Sequence, residues 1–167
     1  MGGIDLSIVI PALDEEKSIS ELYLLITKSL YKKNINYEVI LVDDGSTDST
    51  WIEMEKIIIS NRNVKGIKFT KNYGKSDALD AGFKNSSGDF ILTMDADLQD
   101  DPYEIYKLLE IIKNKKFDLV SGWKKKRNDP LGKTIPSKFF NYVTRVFSGI
   151  HLNDFNCGIK IYRREVI

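Results

Sequence analysis

The densest chemistry in this 167-residue chain is the run Asp95, Ala96, Asp97, Leu98, Gln99, which directly follows an apolar segment. Carboxylates two positions apart at the end of an extended segment project to the same side, so Asp95 and Asp97, with Gln99, can offer oxygen ligands to one cation. Three oxygen donors suit Mg2+ or Mn2+. Two better-known loops are excluded by spacing. An EF-hand would need Gly where Asp100 stands and Glu where Tyr106 stands, and a phosphate-binding P-loop ending at Gly74, Lys75, Ser76 would need Gly at Phe69. No G-x-G-x-x-G occurs. A structural reading competes for the D-x-D: a capped turn before a helix that starts at Asp101. For the pair alone the two readings weigh evenly, and the strand-end context favours the ligand.

That context comes from the elements around it. Apolar runs rich in Ile, Val and Leu alternate with helical periodicity, the pattern of βα units on a mostly parallel sheet flanked by helices, which is an α/β fold class. Strands are expected at residues 6–11, 37–42, 64–69, 90–94 and 118–122, with a further strand-like segment at 158–162. Helix faces are marked by Ile19, Leu22, Ile26 and Leu30, by Trp51, Met54 and Ile58, and by Ile105, Leu108, Leu109 and Ile112. Asp101 and Pro102 supply a cap and first turn for the last of these, and Ser46 or Asp48 a cap for the second. In an open parallel sheet, ligands bind outside the carboxyl ends of the strands. There the sequence places Asp14 and Glu15, then Asp43, Asp44 and Asp48, then Asn72 and Lys75, then the D-x-D run. So many carboxylates on one rim exceed what solubility needs.

Composition narrows the class. With 42% hydrophobic and 29% charged residues the chain reads as an ordinary globular fold, and its length fits one domain over residues 1–167. No apolar run approaches the roughly 18 residues of a membrane span, and no leader pattern opens the chain. One cysteine, Cys157, and one histidine, His151, leave no internal disulfide and no histidine cluster, so a reducing compartment is expected and any metal must be held by oxygen. Cys157 is expected to be a small buried residue. The net charge of +1 conceals an asymmetry: residues 1–112 carry −8 and residues 113–167 carry +9. A solvated lysine-rich face explains such an imbalance, and so does contact with an anion. Residues 124–138, polar and basic with Pro130, Gly132 and Pro136, read as a long loop, followed by a helix face of Phe139, Phe140, Val143 and Phe147.

Five segments taken in order, S-I-V-I-P-A-L-D-E-E at 7–16, V-I-L-V-D-D-G-S-T-D-S-T at 39–50, N-Y-G-K-S-D-A-L-D-A-G at 72–82, D-A-D-L-Q-D-D-P at 95–102 and D-F-N-C-G-I-K-I-Y-R-R at 154–164, resemble the family 2 inverting glycosyltransferases of GT-A fold. The resemblance is strongest to the branch that uses polyprenyl phosphates, such as dolichol-phosphate mannose synthases and bactoprenol glucosyltransferases. It implies that Pro11, Asp14, Glu15 and Asp44 hold the nucleotide base and ribose with Asp43 in support. It also implies that Asp95 and Ala96 face ribose or sugar, and that Asp97 and Gln99 ligate Mg2+ or Mn2+ bridging the diphosphate. Asn72 and Lys75 would border sugar and diphosphate, although a surface salt bridge is an equal reading of Lys75. Arg127, Lys133 and Ser137 would meet the acceptor phosphate, with Lys133 standing where relatives often carry Arg, which weakens bidentate binding. Asp95, Asp97 and Asp154 would be the catalytic acids. The terminal segment departs from the common T-S-G-F-R wording but keeps Asp154.

The implied partners are a UDP- or GDP-sugar donor and a polyprenyl phosphate acceptor, with no nucleic acid. The expected location is cytoplasmic, at the cytoplasmic face of a membrane reached through residues outside this chain, since a C-terminal membrane-associated region is expected to be missing. The sugar, the base, the choice of cation and the oligomeric state are not legible. The residues support a phosphate acceptor on separate grounds. A phosphate monoester is largely ionised at neutral pH and needs no general base, whereas a hydroxyl does. His151 and Asp154 are the sole candidate bases between Asp129 and Glu165. Three alternatives stay open: a family 2 enzyme with a hydroxyl acceptor, a phosphohydrolase with Asp95 as nucleophile and Asp97 as acid, and a non-catalytic nucleotide-sugar-binding module.

Overall fold

The computed structural model describes residues 3–122 and 157–167. Within them the order is β1 (Leu6–Ala12), α1 (Ile19–Leu30), β2 (Tyr37–Asp43), α2 (Thr50–Ser60), β3 (Val64–Lys68), α3 (Lys75–Lys84), β4 (Phe90–Thr93), a 3-10 turn (Pro102–Glu104), α4 (Ile105–Lys115), β5 (Leu119–Ser121) and β6 (Lys160–Arg163). One six-stranded sheet runs β3-β2-β1-β4-β6-β5. The pairs β1 with β2, β1 with β4 and β2 with β3 are parallel. β6 enters antiparallel between β4 and β5, so the last expected strand is paired in the middle of one wing rather than added at an edge.

The two faces of the sheet are covered differently. On one, Ile8 and Ile10 of β1 and Leu41 of β2 pack with Leu22 and Ile26 of α1, Met54 of α2 and Leu109 and Ile112 of α4. Each fully buried aliphatic side chain there contributes about 1.5–3 kcal/mol. On the other, Val9, Ile40, Val42 and Ile91 meet Ala78 of α3, with Leu79 and Phe83 at the margin. Helix α3 is the element that hydrophobic periodicity does not reveal, and its packing gives the reason. It buries only Ala78 and Gly82, and a Cβ placed on Gly82 would lie 2.2 Å from Val9 Cγ1. Close approach to the sheet requires small residues, so no stripe of large ones announces the helix.

Other differences are at the boundaries. β4 ends at Thr93, and the Asp101–Pro102 pair opens the 3-10 turn, with Asp101 Oδ1 accepting from Tyr103 N at 2.9 Å, before α4 proper begins at Ile105. Cys157 is buried, as expected. The loop expected at 124–138, the aromatic helix face after it, His151, Asp154, Arg127, Lys133 and Ser137 lie outside the described residues. Among the described residues no helix is long and apolar enough to cross a membrane.

Candidate active site

The strand order reverses at β1: the chain builds outward through β2 and β3, then returns to place β4 on β1's other side. Connections diverge at such a point and leave a crevice beyond the strand ends. A cleft of about 270 Å³ lies there, lined from β1 and its loop by Pro11, Ala12, Leu13 and Glu15, from β2 by Asp44, from the β3–α3 connection by Asn72, Gly74 and Lys75, and from the β4 loop by Asp95, Ala96 and Asp97. Eight residues expected at a nucleotide-sugar site therefore converge: Pro11, Glu15, Asp44, Asn72, Lys75, Asp95, Ala96 and Asp97. Ala12, Leu13 and Gly74 line it without having been expected.

Asp14 and Asp43 do not line this cleft. The β1 loop is stitched to the β2 loop by reciprocal hydrogen bonds in which both motifs take part. Asp14 N donates to Ser46 Oγ at 3.0 Å, Glu15 N to Thr50 Oγ1 at 2.7 Å and Glu16 N to Asp48 Oδ2 at 3.2 Å. In return Thr47 N donates to Asp14 Oδ1 at 2.8 Å and Ser49 N to Glu16 Oε2 at 3.0 Å. Asp14 adopts φ 56° to do this, a conformation that Asp tolerates better than most residues. Ser18 Oγ donates to Glu15 Oε2. The first turn of α2 is held by Asp48, whose Oδ1 accepts from Thr50 N at 2.9 Å. Ser46 serves the β1 loop instead. Burial raises the Asp48 carboxyl, but hydrogen bonds from Thr50 and Glu16 outweigh it and hold the group below the usual carboxylate range.

Asp43 is fully buried; its Oδ1 accepts from Ser46 N at 3.0 Å, and its Oδ2 has no hydrogen-bond partner among the described residues. It shapes the turn that carries Asp44. Asp44, also buried, accepts from Tyr73 N at 2.9 Å and from Gly74 N at 3.0 Å, fixing the β3–α3 connection against the end of β2. Sequence spacing alone could not show that this carboxylate is engaged by backbone amides 29 and 30 residues away.

The β4 loop is built otherwise. Leu98 takes φ 61° and packs against the main core, with Ala96 buried beside it, while Asp97 stays exposed. Gln99 N donates to Asp97 Oδ1 at 3.1 Å. Asp95 receives Lys75 Nζ on Oδ1 at 2.5 Å. Gln99 itself faces a neighbouring cavity of about 370 Å³, with Asp100, Asp101, Glu104 and Cys157, so Asp97 and Gln99 open on adjacent spaces rather than one. Gly158, which the sequence offered only as part of the terminal motif, lies directly against Asp95.

Among the described residues no three His, Cys, Asp or Glu side chains gather to hold a metal ion. The cleft instead offers two neighbouring carboxylates, hard oxygen donors that fit Mg2+ or Mn2+ of the kind that takes its remaining ligands from a phosphate substrate and water. The opposite, amino-terminal end of the sheet holds a different carboxylate. Buried Glu38 accepts from Ser7 Oγ at 2.7 Å, Ser87 N at 2.6 Å and Ser87 Oγ at 2.6 Å, and Oε2 pairs with Lys65 at 2.7 Å. Burial pushes its carboxyl up, and the bonds from Lys65, Ser87 and Ser7 together bring it down to about 2. That cluster ties β1, β2, β3 and the approach to β4 together, far from the cleft.

Residues 7–167 match the family model described as glycosyl transferase family 2. The chain is 35% identical over 166 residues to the dodecaprenyl-phosphate galacturonate synthase of Rhizobium johnstonii, covering 98% of this chain and 49% of that protein. It is 36% identical over 162 residues to the undecaprenyl-phosphate 4-deoxy-4-formamido-L-arabinose transferase of Aeromonas hydrophila subsp. hydrophila, covering 96% and 49%. Among solved structures, glucosyl-3-phosphoglycerate synthase from Mycobacterium tuberculosis in complex with Mn2+, uridine diphosphate and phosphoglyceric acid superposes with a TM-score of 0.76 at 21% identity, over 98% of this chain and 57% of that one. A mannosyltransferase from Pyrobaculum calidifontis in complex with GDP-Man and Mn2+ gives 0.72 at 21% identity, over 96% and 45%. The fold is therefore GT-A, and the chain spans about half the length of the curated relatives it matches.

Proposed function

The chain belongs to glycosyl transferase family 2, and from that premise we propose that it is the single donor-binding transferase domain of a longer protein. That protein moves a sugar from a UDP- or GDP-sugar to a polyprenyl phosphate with inversion at the anomeric carbon. The observation that carries this reading is the cleft at the strand-order reversal, where Lys75, Asp95 and Asp97 stand together at the carboxyl end of the sheet. Both curated relatives are named for polyprenyl phosphates, which supports the acceptor class.

In this reading Pro11, Leu13 and Glu15 border the nucleoside, and Asp44 acts by holding the 72–74 connection in place. Asp95 and Asp97 face the diphosphate. A bound Mg2+ or Mn2+ would supply electrostatic neutralisation of the leaving diphosphate, with Asp97 as a ligand in the cleft, Asp95 offering a second oxygen and Gln99 beside them. The acceptor phosphate oxygen attacks the anomeric carbon as the bond to the diphosphate breaks, and no proton needs removing because the phosphate is already ionised. Arg127, Lys133 and Ser137 would orient that phosphate. The transferase works at the cytoplasmic face of a membrane, which the rest of the protein contacts.

The test uses the full-length protein with labelled UDP- and GDP-sugars and either a short polyprenyl phosphate or the matching alcohol. Only the phosphate should be glycosylated, and Arg127→Ala and Lys133→Ala should raise the acceptor KM more than the donor KM. Efficient transfer to a hydroxyl, with Asp154→Asn inactive, would make Asp154 a general base and replace this reading with the hydroxyl-acceptor one.

A further inference from the structure

Lys75 is the only cationic side chain among the described residues lining the cleft, and it lies on Asp95, one of four carboxylates there with Glu15, Asp44 and Asp97. The two partners are held very differently. Asp95 is backed by Gly158: a Cβ placed there would come within 2.6 Å of Asp95 Oδ2, so the backbone of the segment leading into β6 passes close behind this carboxylate. Lys75 is rooted at the first position of α3, beside Gly74, whose N–H is held by Asp44. Its side chain is 56% exposed. An ion pair this exposed is worth about 0–1 kcal/mol, so the ammonium leaves at little cost.

We propose that Lys75 is a movable counter-ion that competes with a divalent cation for Asp95 and, once displaced, pairs with the diphosphate of the donor. The idea rests on the donor-site reading above and adds a role that reading does not contain. Two positive groups repel each other at one carboxylate, so an arriving divalent ion expels the ammonium. A leaving nucleoside diphosphate gains negative charge as its bond to the sugar breaks, and one cation beyond the metal is then useful. The N-terminus of α3 favours an anion at the same place. Lys75 thus keeps Asp95 neutralised without donor and delivers its charge where charge develops.

Calorimetric titration of the full-length protein, first with Mn2+ alone and then with UDP or GDP at saturating Mn2+, separates this from simpler roles. Lys75→Met should bind Mn2+ alone about 2- to 5-fold more tightly than wild type and bind the nucleotide about 10-fold more weakly. Lys75→Arg, which keeps the charge, should leave Mn2+ affinity at the wild-type value. Unchanged or weaker Mn2+ binding by Lys75→Met overturns the proposal, whether or not nucleotide affinity falls. Nucleotide binding by wild type that ignores Mn2+ would instead overturn the donor-site reading on which it rests.

Discussion

In the loops after β1 and β2, Asp14, Glu16, Asp44 and Asp48 each accept a backbone N–H from another part of the rim, and Asp43, fully buried, accepts one from Ser46 in its own loop. In the loop after β4, Asp95 pairs with an exposed lysine, and Asp97 accepts a single N–H, from Gln99 two residues on. Both halves of the rim are acidic, and the residue types are the same. The difference is what the oxygens are already bonded to. In the first half, charge-assisted hydrogen bonds hold two loops and a helix terminus in register. In the second, carboxylates are left available for a ligand. Acidic residues at strand ends therefore mark a site only where the surrounding backbone leaves them unoccupied.

The contrast is sharpest for Asp97→Asn, which should lower kcat of the full-length transferase by about 100-fold or more, since a ligand of the charge-neutralising cation is weakened. Normal turnover would move the cation elsewhere. Next in size, Asp44→Ala should weaken nucleotide binding by about 1–3 kcal/mol while raising hydrogen exchange at the Tyr73 and Gly74 amides. Weaker nucleotide binding with unchanged exchange would mean that Asp44 touches the nucleotide directly. In the stitched half, Asp48→Ala should cost about 1 kcal/mol of stability in a denaturant titration, the usual loss for a helix-capping carboxylate, and leave the cation dependence of binding intact.

A separate effect concerns Glu38, distant from both halves. Its carboxyl lies at about 2 in the folded protein against an ordinary 4.5. A depressed value means the stabilisation is fully present above 4.5 and is lost as pH falls from there toward 2. Glu38→Gln should therefore show a shallower loss of stability across that acid window than wild type. Parallel acid limbs would remove Glu38 from the account.

Much of this architecture was legible because the buried strands are short apolar runs and three helices carry large apolar stripes. Helix α3 escaped, since it packs through Ala78 and Gly82 and so lacks such a stripe. The antiparallel insertion of β6 escaped because strand order depends on long-range pairing that no local pattern encodes. At the site, types and spacing located the rim and six of the cleft residues, and the family resemblance added Pro11 and Ala96. They could not separate Asp14, which accepts from Thr47, from Glu15, which lines the cleft, because adjacent acids differ only through partners more than 30 residues away. The role of Gly158 was hidden for the same reason: its significance is the carboxylate pressed against it.

The most direct test of the division is calorimetry of UDP and GDP binding to the full-length protein with Mn2+ and in EDTA, for wild type, Asp97→Asn and the Asp14→Ala/Asp48→Ala pair. The account predicts cation-dependent binding in wild type and in the stitched-loop pair, with the cation-dependent part lost only in Asp97→Asn. Loss of that part in the Asp14/Asp48 variant, with Asp97→Asn behaving as wild type, would contradict it.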